Sequence, residues 1–159
     1  MVAQKHINIR AIERQDLSHV MKVERLSYSI PWSESVFRES IEGNNECWLI
    51  ECEGTLSGHA VVSNVLDEVH LLNICISPEF HRRGLGRVLL KHLISKAEER
   101  EAVVFFLEVR ASNRSAIDLY FSEGFNEVGL RPNYYPSESG RGREDAVLMT
   151  LELSVDYFN

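Results

Sequence analysis

Apolar and polar positions change period several times along this chain, and each change marks an element. The opening "INIRAI" (7–12) alternates and reads as a short strand. In "RQDLSHVMKVERLSYS" (14–29) the apolar residues Leu17, Val20, Met21 and Leu26 recur near helical spacing, with Asp16 as the expected cap. A second helix follows Pro31. Ser33 is its N-cap, and Trp32 and Phe37 occupy the two positions of a hydrophobic staple. Three strands come next: "CWLIECE" (47–53) turns at Gly54 into "GHAVVSNVL" (58–66), and Asp67-Glu68 turn that into "VHLLNICI" (69–76). Turns this short join antiparallel neighbours.

The period then changes. Leu85, Leu89, Leu93 and Ala97 fall on one helical face as far as "EER" (98–100), after which "VVFFLEV" (103–109) is a strand of the buried type. "NRSAIDLYFSEGF" (113–125) is a helix with Asn113 as N-cap and Gly124 as its stop. Two closing strands, near "FNEVGL" (125–130) and "DAVLMTLEL" (145–153), flank a loop expected over "RPNYYPSESGRGRE" (131–144). The element order is β-α-α-β-β-β-α-β-α-β-β. The fourth and fifth strands flank a helix and are expected to be parallel, so the class is α/β: a mixed, mostly antiparallel sheet with helices on both faces.

Composition narrows this picture. With 159 residues, 44% hydrophobic and 26% charged, the chain is expected to form a single domain (residues 1–159) with a sizeable core. The longest apolar run, "AVVFFL", is far short of the roughly 20 residues of a membrane span. "MVAQKHINIR" lacks the apolar core of an export signal, so the expected location is the cytoplasm, with no membrane partner. The net charge of −7 argues against direct nucleic-acid binding and suits a basic partner. Cys47, Cys52 and Cys75 all lie in apolar runs and read as buried thiols in a reducing compartment. The six histidines carry no HxxxH or HExxH spacing, and no metal is assigned.

Candidate chemistry begins at "HRRGLGRVLL" (81–90), where two glycines open a helix directly after a strand. A helix N-terminus offers backbone N–H groups and a partial positive charge, and Arg82, Arg83 and Arg87 add more. The stretch is suited to an anion, although a plain glycine loop with solvated arginines has the same spelling. A dinucleotide fingerprint fits poorly. Its third glycine is Leu89, "SPEFHRR" separates strand from glycine, and the antiparallel first half leaves no room for paired βαβ units, although Glu108 stands near the expected acidic position. GxxxxGK[ST] is absent.

Elsewhere, Glu108 interrupts an apolar strand. On spacing alone it is either a strand-end carboxylate paired to Arg110 or solvent, or a partly buried base. Asn113 and Tyr120 are seven residues apart and share a helical face; alone they read as an N-cap and a core aromatic. Cys75 as a nucleophile lacks a histidine supplied by any motif. On their own, Tyr28, Trp32, Tyr134 and Tyr135 read as packing under loops.

On these residues the chain resembles the GNAT family of acetyl-CoA-dependent N-acetyltransferases. The family's [Q/R]-x-x-G-x-[G/A] motif reads His81-Arg82-Arg83-Gly84-Leu85-Gly86 here, with His81 where Gln or Arg is usual. "IPWSESVF", "NICISPEFHRRGLG", "LEVRASNRSAIDLYFSEGF", "RPNYYP" and "EDAVLM" are similar, in order, to the branch that acetylates the N-terminal alanine of a small-subunit ribosomal protein; Pro132 stands where that branch often has a second basic residue. The resemblance implies that the anion is the pyrophosphate of acetyl-CoA, held by Arg82, Arg83, Gly84, Leu85, Gly86 and Arg87. It implies a splayed parallel strand pair, with Ile74, Cys75 and Ile76 contacting the acetyl and pantetheine groups and offering an N–H to an oxyanion. It further implies Glu108 as general base, Tyr120 as general acid and Asn113 as a cofactor contact. With the resemblance, acceptor contact becomes a reading of Tyr28, Trp32, Tyr134 and Tyr135 equal in weight to loop packing. The reaction would be direct attack in a ternary complex, and the partner the N-terminal peptide of a basic ribosomal protein. The alternatives are a non-catalytic acyl-CoA-binding module, or a family member acting on lysine or small amines.

Overall fold

Local caps start the helices where the spacing places them. In the computed structural model, which describes residues 5–154, Ser33 Oγ accepts from the Val36 N–H (3.3 Å) at the head of α2 (Glu34–Glu42). Asn113 Oδ1 accepts from the Ala116 N–H (3.3 Å) at the head of α4 (Arg114–Ser122). Trp32 and Phe37 meet with ring centroids 5.2 Å apart, the expected staple. Asp16 behaves differently. It precedes α1 (Leu17–Ser27) but makes no side-chain cap bond to that helix. A 3-10 turn over Arg14–Asp16 intervenes, and the Asp16 carboxylate is spent on the Glu13 N–H (2.8 Å) and on both Arg10 guanidinium nitrogens (2.8 Å each). The hydrogen bonds from Arg10 hold the Asp16 carboxyl below its ordinary range.

The strands are β1 (Ile7–Ala11), β2 (Glu46–Cys52), β3 (Thr55–Val65), β4 (Glu68–Ile76), β5 (Val104–Arg110), β6 (Asn126–Pro136) and β7 (Arg143–Glu152), with α3 (Leu85–Glu99) between β4 and β5. They hydrogen-bond in the order β1-β2-β3-β4-β5-β7-β6. Parallel pairing joins Glu68–His70 to Val104–Phe106, while β1–β2, β2–β3, β5–β7 and β6–β7 are antiparallel. The mixed α/β sheet expected from the sequence is therefore the observed one.

The chain divides into two compact units, one formed by residues up to Ser63 with Leu72–Leu90, the other by Asn64–Leu71 with residues from Lys91 onward. In the first, Ile12, Leu17, Val20, Met21, Phe37, Cys47, Leu49 and Val61 form one buried cluster under Trp32, Ile41 and Leu56. Apolar stripes of α1 and α2 meet the alternate inward residues of β2 and β3 there. Gly58 is in β3 for close approach: a Cβ at that position would stand 2.5 Å from the Cys75 carbonyl oxygen of β4. In the second unit, Phe105 and Phe125 pack edge to face with centroids 5.6 Å apart, and Tyr120 lies 5.8 Å from Phe125.

One expected loop is largely strand. β6 runs to Pro136, through the whole of "RPNYYP", leaving only residues 137–142 between the two closing strands. Pro132 and the left-handed Asn133 (φ 51°) break the ladder, and the register shifts between Arg131 and Tyr135. Side chains restore what the ladder loses. Asp145 Oδ1 accepts from the Asn133 N–H (2.9 Å), and Arg143 donates to the Asn133 and Tyr134 carbonyls (2.8 and 2.7 Å). A composition of Pro, Tyr and Asn signals a loop, yet these long-range bonds hold the segment extended. Cys47, Cys52 and Cys75 are free and buried, as expected. Among the described residues no helix is long and apolar enough to cross a membrane.

Candidate active site

The glycine loop joins the end of β4 to α3. Gly84 (φ 77°) and, unexpectedly, Arg82 (φ 62°) both adopt left-handed backbone, which turns the chain into the helix. The first intrahelical bond runs from the Val88 N–H to the Gly84 carbonyl (3.1 Å). The N–H groups of Leu85 and Gly86 precede it, and first-turn donors of this kind have no helical acceptor. A Cβ on Gly84 would meet nothing within 4 Å, so the space beside it is open. Arg82, Arg83 and Arg87 are exposed around it, with the Arg83 guanidinium 5.0 Å from the Phe80 ring. Leu85 points the other way and is buried. His81 uses its departure from Gln or Arg: Nε2 lies 2.8 Å from the Ile76 carbonyl and ties the loop to the end of β4.

Ile74, Cys75 and Ile76 close β4, with only Cys75 buried. The Tyr28 hydroxyl donates to the Ile74 carbonyl, which fastens the end of α1 to this strand. Around Cys75 the structure corrects the sequence reading. No motif supplies a histidine there, yet His59 Nε2 lies 3.3 Å from Cys75 Sγ and 2.8 Å from Glu24 Oε2. β3 and β4 are sheet neighbours, and α1 presents Glu24 to both. The arrangement has the parts of a thiol–imidazole–carboxylate relay without its electrostatics. Burial first, and the Glu24 charge second, push the Cys75 thiol well above its ordinary range, the reverse of an activated nucleophile.

In the second unit, alternation along β5 puts Glu108 on the half-buried face with Phe106 and Arg110, while Leu107 and Val109 are buried. Its partner is Arg131 of β6, Nε to Oε1 3.2 Å, and not Arg110. Arg110 instead serves the closing strands. It donates to the Pro136 carbonyl (2.7 Å) and Glu144 (3.3 Å), and its guanidinium lies 4.6 Å from the Tyr135 ring. Arg131 also stands over the Tyr134 ring at 5.3 Å, and the Glu108 charge, reinforced by a hydrogen bond, raises the Tyr134 phenol. Burial, then Glu108, push the Tyr135 phenol up to about 12.

Tyr120 is 5% exposed, and burial followed by the nearby Tyr135 drives its phenol far above the ordinary tyrosine range. It is held in its protonated form. Asn113 is an exposed N-cap with its oxygen committed to the Ala116 N–H, and its own N–H donates to the Arg110 carbonyl (2.9 Å) at the end of β5. Arg131, Glu24, His59 and Asn73 are polar participants that sequence reasoning missed. Arg131 lay inside an expected loop, and Glu24 lies on the buried side of α1, where the apolar pattern gives a carboxylate no signal.

A family model described as "Acetyltransferase (GNAT) family" matches residues 17–125. The chain is 42% identical over 147 residues to the [ribosomal protein bS18]-alanine N-acetyltransferase of Escherichia coli K12, covering 92% of this chain and 98% of that protein. The protein of the same name from Haemophilus influenzae is 40% identical over 91% of this chain and 98% of its own. The crystal structure of the E. coli ribosomal-protein-S18-alanine N-acetyltransferase superposes with a TM-score of 0.90 at 40% identity, covering 97% of this chain and 98% of that one.

Proposed function

The chain belongs to the GNAT acetyltransferase family, and from that membership we propose that it acetylates the α-amine of the N-terminal alanine of ribosomal protein bS18. It is an acetyl-CoA-dependent N-acetyltransferase. The observation that carries the acceptor chemistry is Glu108, a partly exposed carboxylate on an otherwise apolar strand, in contact with Arg131 and Tyr134. Acetyl-CoA supplies the acetyl group on a thioester. The donors at Leu85 and Gly86 suit its pyrophosphate, with Arg82, Arg83 and Arg87 adding charge, and the backbone of Ile74–Ile76 suits its pantetheine arm. Glu108 takes the proton of the attacking amine, and Tyr120 gives its own to the departing thiolate. A buried, protonated phenol is a proton reserve, and a module that only binds acyl-CoA has no use for both groups. Asn113 remains an N-cap that can also face the cofactor. The −7 charge suits a basic ribosomal protein in the cytoplasm and disfavours nucleic acid.

An α-amine is the easier acceptor. Its pKa is about 7.8 against about 10.4 for Lys, so at neutral pH about 14% is already uncharged, against roughly 0.04% of Lys. One glutamate beside an arginine fits the lighter task. A peptide that begins with Ala and continues with basic residues is expected to be acetylated at its N-terminus, more than a hundredfold faster than at an internal Lys. Mass-spectrometric mapping checks this. Acetyl found mainly on Lys, or on small amines with the peptide untouched, overturns the acceptor and leaves the family standing.

The glycine loop is tested separately. Gly86→Val puts a branched side chain where the pyrophosphate must approach the backbone, and is expected to weaken acetyl-CoA binding at least tenfold, about 1.4 kcal/mol. The fold should survive. Calorimetric titration alongside a thermal melt reads both, and unchanged affinity in a folded variant removes the loop from the site.

A further inference from the structure

Three residues far apart in the sequence, Glu24, His59 and Cys75, converge so that their ligand atoms all lie within 4.8 Å of one another. They come from α1, β3 and β4 of the first unit, and their relative exposures are 1%, 0% and 8%. Glu24 Oε2 is 2.8 Å from His59 Nε2 and 3.9 Å from Cys75 Sγ, and the nitrogen and sulfur are 3.3 Å apart. Ligands at zinc distances, about 2.0 Å for N and O and 2.3 Å for S, stand roughly 3.3–3.7 Å apart around a tetrahedral ion. The three observed separations bracket that range, so small side-chain shifts suffice to admit one.

Asn73 supplies the second, independent observation. It is 7% exposed, its Nδ2 lies 3.1 and 3.2 Å from the two Glu24 oxygens, and its Oδ1 is buried with no hydrogen-bond partner. A buried acceptor without a partner carries an uncompensated desolvation cost. Turning the amide over aims Oδ1 at the cluster, an arrangement that repels the bare carboxylate and is favourable when a cation stands between them. The donor set then becomes one N, one S and two O, the composition and number of a four-coordinate site.

Charge points the same way. A neutral imidazole, a carboxylate and a thiolate sum to −2, which a divalent ion cancels, and metal coordination deprotonates a thiol outright. The outer shell is also present: the Trp32 N–H donates to Glu24 Oε1 (3.1 Å) and fixes the carboxylate's orientation. We propose that Glu24, His59, Asn73 and Cys75 form a buried structural site for a zinc-class divalent cation, which clamps α1 and the α1–α2 loop to β3 and β4. It rests on the donor geometry alone and is independent of the acetyltransferase reading.

The test uses the full chain, produced in zinc-supplemented medium, dialysed, and also titrated with zinc after purification. The expected result is equimolar zinc by elemental analysis and a higher unfolding temperature with zinc than with a chelator. The cobalt-loaded protein should show a sulfur-to-metal charge-transfer band, lost in Cys75→Ala, and His59→Gln should weaken binding at least tenfold. Asn73→Asp separates a ligand from a structural amide. It removes the donor to Glu24 and adds a charge beside it, so it should be destabilised without zinc and rescued by zinc. Absence of bound zinc by both routes overturns the site. Undiminished binding in folded Cys75→Ala also overturns it, as does an Asn73→Asp defect that zinc leaves unchanged.

Discussion

Replacing Glu108 with Gln is expected to lower turnover about 10²–10⁴-fold while leaving acetyl-CoA affinity nearly unchanged. The exchange preserves size and removes only the ability to accept a proton. Stability should change little, because the carboxylate is partly exposed and its ion pair with Arg131 (3.2 Å) is also open to solvent. Tyr120→Phe tests the other proton. The phenol is buried against Phe125, so Phe fills the same volume and the loss falls on the leaving thiolate. Because burial raises the Tyr120 pKa, its acid form persists to higher pH than in a free tyrosine. Activity that depends on it should not decline through the ordinary phenol range. Single-turnover measurement with saturating acetyl-CoA isolates the chemical step. Near-normal rates in both variants would mean that the acid and base lie elsewhere.

Phe37→Ala is expected to destabilise the protein by about 3–5 kcal/mol, read as a shift of the urea midpoint at constant slope. Phe37 is completely buried at the centre of the first unit's cluster. Its ring lies 5.2 Å from Trp32 and 5.2 Å, edge to face, from His59. Truncation leaves a void that rigid β2 and β3 cannot fill. It also loosens the α1–α2 loop that carries Trp32, whose N–H orients Glu24. Phe37→Leu should retain most of the stability. A loss in Phe37→Ala of well under about 1 kcal/mol would show that the neighbours collapse into the space.

The glycine loop and the out-of-place carboxylate at Glu108 were legible in the chain because each is written in short range, whereas Tyr120 alone reads as a core aromatic and becomes an acid candidate only through the family resemblance. A helix start needs its donors and glycines within a few residues, and a carboxylate in an apolar strand is visible against its neighbours. The partners of these groups were not. Arg110, two residues from Glu108, was the natural guess for its counter-ion, but Arg110 bonds to Pro136 and Glu144. Arg131 takes the place because β6 extends through a segment whose Pro and Asn signal a loop.

By itself the sequence determined the element order, the Ser33 and Asn113 caps, the Trp32–Phe37 staple and the anion-suited loop before α3. Each depends on backbone donors, dihedral preferences or side-chain spacing within about one or two helical turns. Tertiary structure alone decided which polar groups meet. Glu24 and His59 are 35 residues apart and His59 and Cys75 are 16 apart, and no periodicity links them. They meet because β3 and β4 pair at a register that lets Gly58 pass the Cys75 carbonyl, and because α1 buries its apolar stripe on the same unit. Once that packing removes water, a carboxylate at Glu24 must find its donors among whatever side chains the register delivers.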